Sequence, residues 1–290
     1  MTEPIHRAAT DADIAEAAQL FITSLADLAR RQGLPEPPYS VASIEPVYRH
    51  IHRTGIFDVA EMDGRIVAIA HALVRDHQWF LSGFWALPGL QRRGLGGPLL
   101  RRIRDEGTRR GATLAFTWSS VDVTAMATYM KLGMLPGYPI LTFTGAPTAP
   151  PSPPAGLDEA PLTLAAAADI DAEIRGARRD VDHAFWLAGT GAARLVVRGG
   201  RPAGYYHASR GAIGPVAWLD PADGPGVLAL ALHEAGRQAP EVRLAIPGKN
   251  HSAVSVVLAA GLRLIAFSHL LCTAEPGKMD RYVPSGPSLF

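Results

Sequence analysis

The chain repeats its own order of elements, and a duplication constrains a fold strongly because both copies must obey the same packing rules. Residues 5–9 read as a short strand. Asp11 or Asp13 then offers an N-cap to Ile14, Ala17, Ala18, Phe21, Ile22, Leu25 and Leu28, a stripe at helical spacing. The Gly- and Pro-rich run 33–38 breaks that helix, and 41–52 is a weaker second one. Residues 57–62 and 65–74 flank Asp63-Gly64, a dipeptide suited to a two-residue primed turn, so they predict a hairpin. Next come a strand over 80–87, a helix to about Arg110, a strand over 113–119, a helix over 123–132 and a strand over 138–144. The order is β-α-α-β-β-β-α-β-α-β.

Residues 145–156 are a Pro-rich run, stiff and extended, with little to pack. Beyond it the pattern restarts. The segment Ala8–Glu16 has an echo in Ala166–Glu173, again before a helix. Residues 194–198 and 202–209 flank Gly199-Gly200 as a second hairpin, and Trp218 and Pro221 are spaced as Trp85 and Pro88 are. Residues 227–237, 242–247 and 252–260 repeat the helix, strand and helix. The expected organisation is a domain over 1–145, a linker over 146–161 and a second domain over 162–290.

A length of 290 residues fits two domains rather than one of about 100–200. The net charge of +1 gives no field that would attract nucleic acid or an anionic membrane. The single cysteine, Cys272, excludes an intrachain disulfide and fits a reducing, cytoplasmic compartment; its apolar run makes it a small buried hydrophobe. No apolar run approaches the ~20 residues of a membrane span, and the first residues do not read as a signal peptide. No metal-ligand pattern stands out.

The stretch carrying chemistry runs from Ala86 to Ile103. An aromatic strand ends near Pro88; Gln91, Arg92, Arg93, Gly94, Leu95, Gly96 and Gly97 follow; then Leu95, Leu99, Leu100 and Ile103 recur at helical spacing. Glycines let the backbone approach a ligand, and the first N–H groups of a helix have no internal partner. With the helix dipole and two arginines they make a site for a phosphate or pyrophosphate. The bland alternative is a helix start with a solvated basic face. The stretch lacks the Lys-Ser/Thr ending of a nucleoside-triphosphate loop and the glycine spacing of a dinucleotide fold.

What it resembles is the pyrophosphate loop of the GCN5-related N-acetyltransferase (GNAT) superfamily, Gln/Arg-x-x-Gly-x-Gly/Ala, three residues after a strand-closing Pro; Gln91 to Gly96 match it fully. The element order over 1–145 is also that family's. The resemblance implies an α/β (α+β) fold of two tandem acyltransferase domains, each a mixed, mostly antiparallel sheet flanked by helices. It implies acetyl-coenzyme A as co-substrate and direct transfer of the acetyl group to an amine acceptor, expected to be a small molecule. Backbone groups of Phe84, Trp85 and Ala86 would pair with the pantetheine arm, and those of Arg92 to Gly97 would hold the pyrophosphate.

The family also carries Asn-x-x-Ala-x-x-x-Tyr-x-x-x-Gly-Phe on a later helix. The first half has Asp122, Ala125, Tyr129, Gly133 and Met134 at these positions; the second has Asn250, Ala253, Val257, Gly261 and Leu262. By resemblance Tyr129 protonates the departing thiolate and Asp122 lies at the coenzyme site; ordinary core packing is the alternative for Tyr129. Counting from Pro221, Gly224 stands where Gln91 does and Val227 and Ala229 where Gly94 and Gly96 do, with Asp220 and Asp223 placed to repel a pyrophosphate. The first half is therefore the expected catalyst and the second a degenerate copy.

No base is assigned. Glu61, Asp76 and His77 are candidates, each with a plain reading as a turn or strand-edge residue. Arg101, Arg102, Arg104, Arg109 and Arg110 read as a solvated helix face of which one or two reach the coenzyme's 3′-phosphate; no aromatic interleaving supports nucleic-acid binding. Residues 175–183 read as a solvated polar helix, with contact to an anionic substrate as the alternative. Two rival functions stay open: a non-catalytic acyl-coenzyme A binder or sensor, and catalysis by the second half.

Overall fold

The computed structural model describes residues 3–91, 94–148, 152 and 155–290. The chain divides into two compact units, Met1–Thr113 and Leu114–Phe290.

The first unit contains β1 (Ile5–Ala8), α1 (Ile14–Arg31), α2 (Val41–Thr54), β2 (Ile56–Met62), β3 (Arg65–Arg75), β4 (Gln78–Ala86) and α3 (Gly96–Arg109). The four strands pair antiparallel in chain order. Asp63 and Gly64 take φ of 50° and 75°, the primed turn expected of that dipeptide. Ser40 caps α2 by accepting the Ser43 N–H.

One irregularity in β4 sets which side chains meet which helix. The register with β3 shifts between His71↔Gly83 and Ala72↔Leu81, so Ser82 is an extra residue, a bulge. Side chains alternate along a strand, so Trp79 and Trp85 would share a face without it. With it, Trp79 packs on α3, its indole donating to the Ile103 carbonyl at 3.2 Å, while Trp85 meets Phe21 of α1 edge-on at 5.1 Å. Gly107 must be glycine here: a Cβ would stand 2.2 Å from the Trp79 ring.

The second unit contains β5 (Leu114–Ser119), α4 (Val123–Met130), β6 (Leu135–Gly145), β7 (Leu157–Pro161), α5 (Leu164–Arg175), α6 (Asp180–Leu187), β8 (Ala192–Arg198), β9 (Arg201–Ser209), β10 (Ala212–Trp218), α7 (Gly224–Gln238), β11 (Val242–Pro247), α8 (His251–Ala259), β12 (Arg263–Cys272) and β13 (Tyr282–Val283). The element order of the first repeat thus recurs from β7 to β12. At the end of the expected linker 146–161, Leu157–Pro161 form a strand on β8.

The two units do not coincide with the two sequence repeats, because the repeats exchange strands. The sheet runs β5-β12-β6-β11-β10-β9-β8-β7. β12, from the second repeat, lies between β5 and β6 of the first; β6, from the first, lies between β12 and β11 of the second. Phe143 of β6 accordingly sits in the apolar core of the second repeat with Val216, Trp218, Leu228, Leu244, Val257 and Leu262.

The polar run 175–183 is not a solvated helix. Arg175, Arg179, Asp182 and His183 are buried. Asp171 of α5 accepts from Arg179 Nε at 2.7 Å and from Tyr205 Oη at 2.5 Å, and its Oδ2 lies 2.8 Å from His183 Nε2. Arg175 and Arg179 donate to the Phe290 main-chain oxygen. Burial by itself would raise the Asp171 pKa, but the Arg179 charge and the His183 hydrogen bond hold it well below the carboxylate range. The charged residues face one another inside the unit, a pairing that periodicity does not reveal.

His71 on β3 and His207 on β9 occupy corresponding places in the two repeats, each followed by Ala on its strand. Both are buried, and burial pushes each pKa down to about 3, with the neighbouring His183 and Arg179 adding to the effect at His207. Each histidine is neutral when folded and titrates near 6.5 when unfolded, so the unfolded chain binds more protons between pH 6.5 and 3. Stability is present above pH 6.5 and falls as the pH drops, by about 1.4 kcal/mol per unit for each histidine. Urea unfolding from pH 7 to 5 checks this: His71→Phe should remove one histidine's share of the slope, and an unchanged slope contradicts it.

Candidate functional site

The loop between β4 and α3 begins with paired backbone: Leu87 N–H donates to Val67 O at 3.0 Å. The Ala86 carbonyl accepts from Ser24 Oγ at 3.0 Å and from Gln91 Nε2 at 3.4 Å, so the Gln91 side chain folds back on the strand end. Arg92 and Arg93 lie outside the described residues. Gly94 has φ of 82°, a left-handed conformation that favours glycine. Leu95 points into the core, and its carbonyl oxygen lies 3.1 Å from His6 Nε2, so β1 also fastens the loop. His6 carried no motif, and only the fold brings it here.

Gly96 and Gly97 open α3, and Leu95 before them supplies no side-chain cap. Their N–H groups have no acceptor within the helix, and the helix dipole places partial positive charge there. Gly96 is required from below: a Cβ would stand 2.3 Å from the Phe84 ring. Gly97 is open, with only Arg101 Nη1 near, 3.6 Å from a Cβ at that position. Gly96→Val should therefore displace the helix start, costing about 1–3 kcal/mol of stability. Gly97→Ala should leave stability unchanged, and equal effects of the two in calorimetry would contradict the close packing of Gly96 on Phe84.

Most of the arginine cluster is engaged. Arg102 binds Asp58 at 2.7 Å, Arg109 and Arg110 bind Glu106, and Arg104 lies over the Trp79 ring at 5.3 Å. Arg101 is the one nearest the helix start. The base candidates are ordinary as well: Glu61 is paired with Arg7 at 2.8 Å, and Asp76 and His77 are exposed in the β3–β4 turn, at the end of β4 remote from Ala86.

In the second unit, α4 carries Tyr129, which is buried. Burial, and then the Asp122 charge, raise its pKa well above the usual phenol value, so the hydroxyl stays protonated. Asp122 caps the helix, accepting the Thr124 and Ala125 N–H groups at 2.9 and 3.1 Å. Asn250 does the same for α8, accepting Ala253 N–H at 3.1 Å. Asp and Asn are equally good caps, so the exchange of one for the other has a plain reason. Where the first repeat has Tyr129, the second has Val257, part of the apolar core.

The second repeat lacks the loop itself. Ungapped counting from Pro221 paired Gly224 with Gln91, but α7 starts at Gly224 as α3 starts at Gly96. The connection from β10 is residues 219–223, against 87–95 in the first repeat, so it is four residues shorter. A deletion is invisible to position-by-position counting. Asp223 is not a free charge either: it is buried against Arg198 at 2.6 Å, and Asp220 accepts the Ala222 N–H.

The space beside β10 is filled by the chain. β10 and β11 pair in parallel only at Ala212↔Arg243. Farther along, β13 lies on β10 with Val216↔Val283 and Ala217↔Tyr282, Arg281 donates to Leu219 O at 2.7 Å, and Asn250 Nδ2 donates to Tyr282 O at 3.1 Å.

Residues 22–134 match the model of the acetyltransferase (GNAT) family. The chain carries a GNAT acetyltransferase domain. The GNAT likeness extends to the whole fold. A putative acetyltransferase from Pyrococcus horikoshii is similar over 100% of this chain and 97% of its own, with a TM-score of 0.80 at 18% identity. A GCN5-related N-acetyltransferase from Sphaerobacter thermophilus covers 93% and 95%, with a TM-score of 0.66 at 18% identity. A tandem GNAT protein from the clavulanic acid biosynthesis pathway covers 95% and 99%, with a TM-score of 0.63 at 17% identity. Among curated proteins none matches the sequence. The fold is that of the acyl-coenzyme A acyltransferases, here with the GNAT pattern in tandem. Among the described residues no helix is long and apolar enough to cross a membrane, and no group of three or more His, Cys, Asp or Glu could hold a metal.

Proposed function

We propose that this protein moves an acetyl group from acetyl-coenzyme A directly to a primary amine of a small molecule, with the chemistry in the first repeat. The carrying observation is the contrast between the repeats. The first keeps a nine-residue loop with Gly94, Gly96 and Gly97 at an uncapped helix start; the second has a shortened connection and a strand of its own chain on β10. The pantetheine arm pairs with a strand edge as another strand would, and β13 takes that place in the second repeat. Backbone N–H groups of the loop, with Arg92 and Arg93, hold the pyrophosphate. A backbone N–H near Ala86 polarises the thioester carbonyl. The protonated Tyr129 hydroxyl gives its proton to the departing thiolate, a role that rests on the resemblance. The single thiol fits a reducing, cytoplasmic setting.

Isothermal titration with acetyl-coenzyme A checks the assignment: one equivalent per chain is expected, abolished by Arg93→Ala with Gly94→Trp. Retained affinity in that variant, or two equivalents in the parent, removes it. A second reading, a non-catalytic acyl-coenzyme A sensor, is favoured by the engaged or remote carboxylates and histidine around β2–β4. Thiol release across an amine panel decides: tight binding with no turnover on any amine selects the sensor.

A further inference from the structure

Ser24 places a buried hydroxyl, 1% exposed, on the apolar face of α1 beside Ala17, Leu20 and Leu28. Serine is a poorer helix former than alanine, and a buried hydroxyl needs a partner. A helical serine commonly finds one in the carbonyl one turn back. Ser24 Oγ instead donates to Ala86 O, 62 residues away, at 3.0 Å. Phe21, one turn earlier, meets Trp85, so α1 lies across the end of β4. Gln91 Nε2 donates to the same Ala86 oxygen at 3.4 Å. A carbonyl oxygen has two lone pairs, so side chains take up its accepting capacity. The backbone sets which way this residue faces. Leu87 N–H donates to Val67 of β3 at 3.0 Å. In an antiparallel pair the backbone groups of successive residues point to opposite sides, so the Ala86 N–H and C=O both point away from β3. The two groups lie side by side, within one residue's rise of ~3.4 Å.

We propose that Ser24 is a positioning residue for acyl transfer: by occupying the Ala86 carbonyl, it lets the adjacent Ala86 N–H polarise the thioester oxygen unopposed. This rests on the reading that the acetyl donor lies along β4 of the first repeat. In the transfer the amine nitrogen bonds to the thioester carbon and the C=O electron pair moves onto oxygen. Its return expels the thiolate, with one proton leaving the nitrogen and one reaching the sulfur. Donors fixed beforehand stabilise the negative charge that builds on that oxygen. A bare Ala86 oxygen beside it would repel the same charge. With the Ser24 hydroxyl and the Gln91 amide directed at its lone pairs, the carbonyl's partial charge is offset. The benefit grows as charge develops, so it belongs to turnover more than to coenzyme affinity. Gln91, the first residue of the loop pattern, thus works through its side chain on the strand end.

Isotope-edited infrared spectroscopy of the full chain with acetyl-coenzyme A, labelled with carbon-13 at the acetyl carbonyl, tests the proposal without needing the amine. In the parent the bound thioester C=O stretch should lie below that of the free compound. Ser24→Ala should move it partway back, and Ser24→Ala with Gln91→Met should move it further. Ser24→Thr keeps the hydroxyl and should restore the parent frequency. Titration should find the acetyl-coenzyme A affinity of Ser24→Ala within about twofold of the parent, with the thermal midpoint unchanged. On an amine that the parent acetylates, kcat of Ser24→Ala should fall about tenfold at unchanged KM for the coenzyme. A stretch in Ser24→Ala identical to the parent's overturns the role of Ser24 while leaving the function intact. So does a loss of affinity and thermal midpoint together, which makes the hydrogen bond a packing feature. A parent that binds no acetyl-coenzyme A is a separate result, read from titration alone, and overturns the function and the role of Ser24 with it.

Discussion

Replacing Asp171 by alanine is expected to lower the unfolding free energy by about 3–5 kcal/mol, among the largest effects available to a single change in this chain. Asp171 is fully buried and is the carboxylate to which Arg179, Tyr205 and His183 all turn. Without it the guanidinium of Arg179 remains buried beside that of Arg175 with its counter-charge removed. The penalty is that of an uncompensated charge, not the net worth of the pair, so an apolar replacement of the group as a whole should recover much of it. Urea unfolding checks this: Asp171→Ala should shift the midpoint strongly, and Asp171→Leu with Arg179→Met and His183→Phe should lie nearer the parent. The pH sign follows from the depressed Asp171 pKa. Its contribution is present above the unfolded carboxylate pKa and is lost as the pH falls through the folded one. Acid sensitivity near pH 5 therefore comes from His71 and His207. A small effect of Asp171→Ala would mean the network contributes little.

Tyr129→Phe is expected to lower kcat by about 10²-fold or more while leaving coenzyme affinity within about twofold, the pattern of a lost proton donor. Phenylalanine keeps the ring that fills the helix face, so the melting temperature should barely move. Burial and the Asp122 charge hold the phenol protonated through the working pH range, so no loss of activity from Tyr129 ionisation should appear below pH 10. Asp122→Asn keeps the cap, as Asn250 does in the second repeat, and removes one influence raising the phenol pKa. An unchanged kcat in Tyr129→Phe removes the assigned role; a fall in kcat with an equal loss of coenzyme affinity makes Tyr129 a packing residue.

Much of this fold was legible in local patterns. The Asp63-Gly64 and Gly199-Gly200 turns, the stripe on α1 and the Gly94–Gly97 helix start all depend on neighbours within a few residues, where backbone preference and periodicity act. The duplication was legible for the same reason. The shortened loop of the second repeat was not, because counting without gaps carried Gly224 onto Gln91. The polar run 175–183 reads as a solvated face in the sequence, since helical spacing records polarity but not whether Asp171 and Tyr205 wait on the other side.

The sequence by itself determined two copies of one element order and a first copy that alone keeps the glycines and arginines of the GNAT loop pattern. Tertiary structure decided how those pieces are used. It exchanged β6 and β12 between the repeats, turned Trp79 and Trp85 to opposite faces through one bulge residue, and laid β13 on β10. Each depends on strand pairing between segments far apart in the chain, and hydrogen bonds between backbones carry no residue-specific mark. The side chains fix what a segment can become; the partner it meets is chosen only when the whole chain packs.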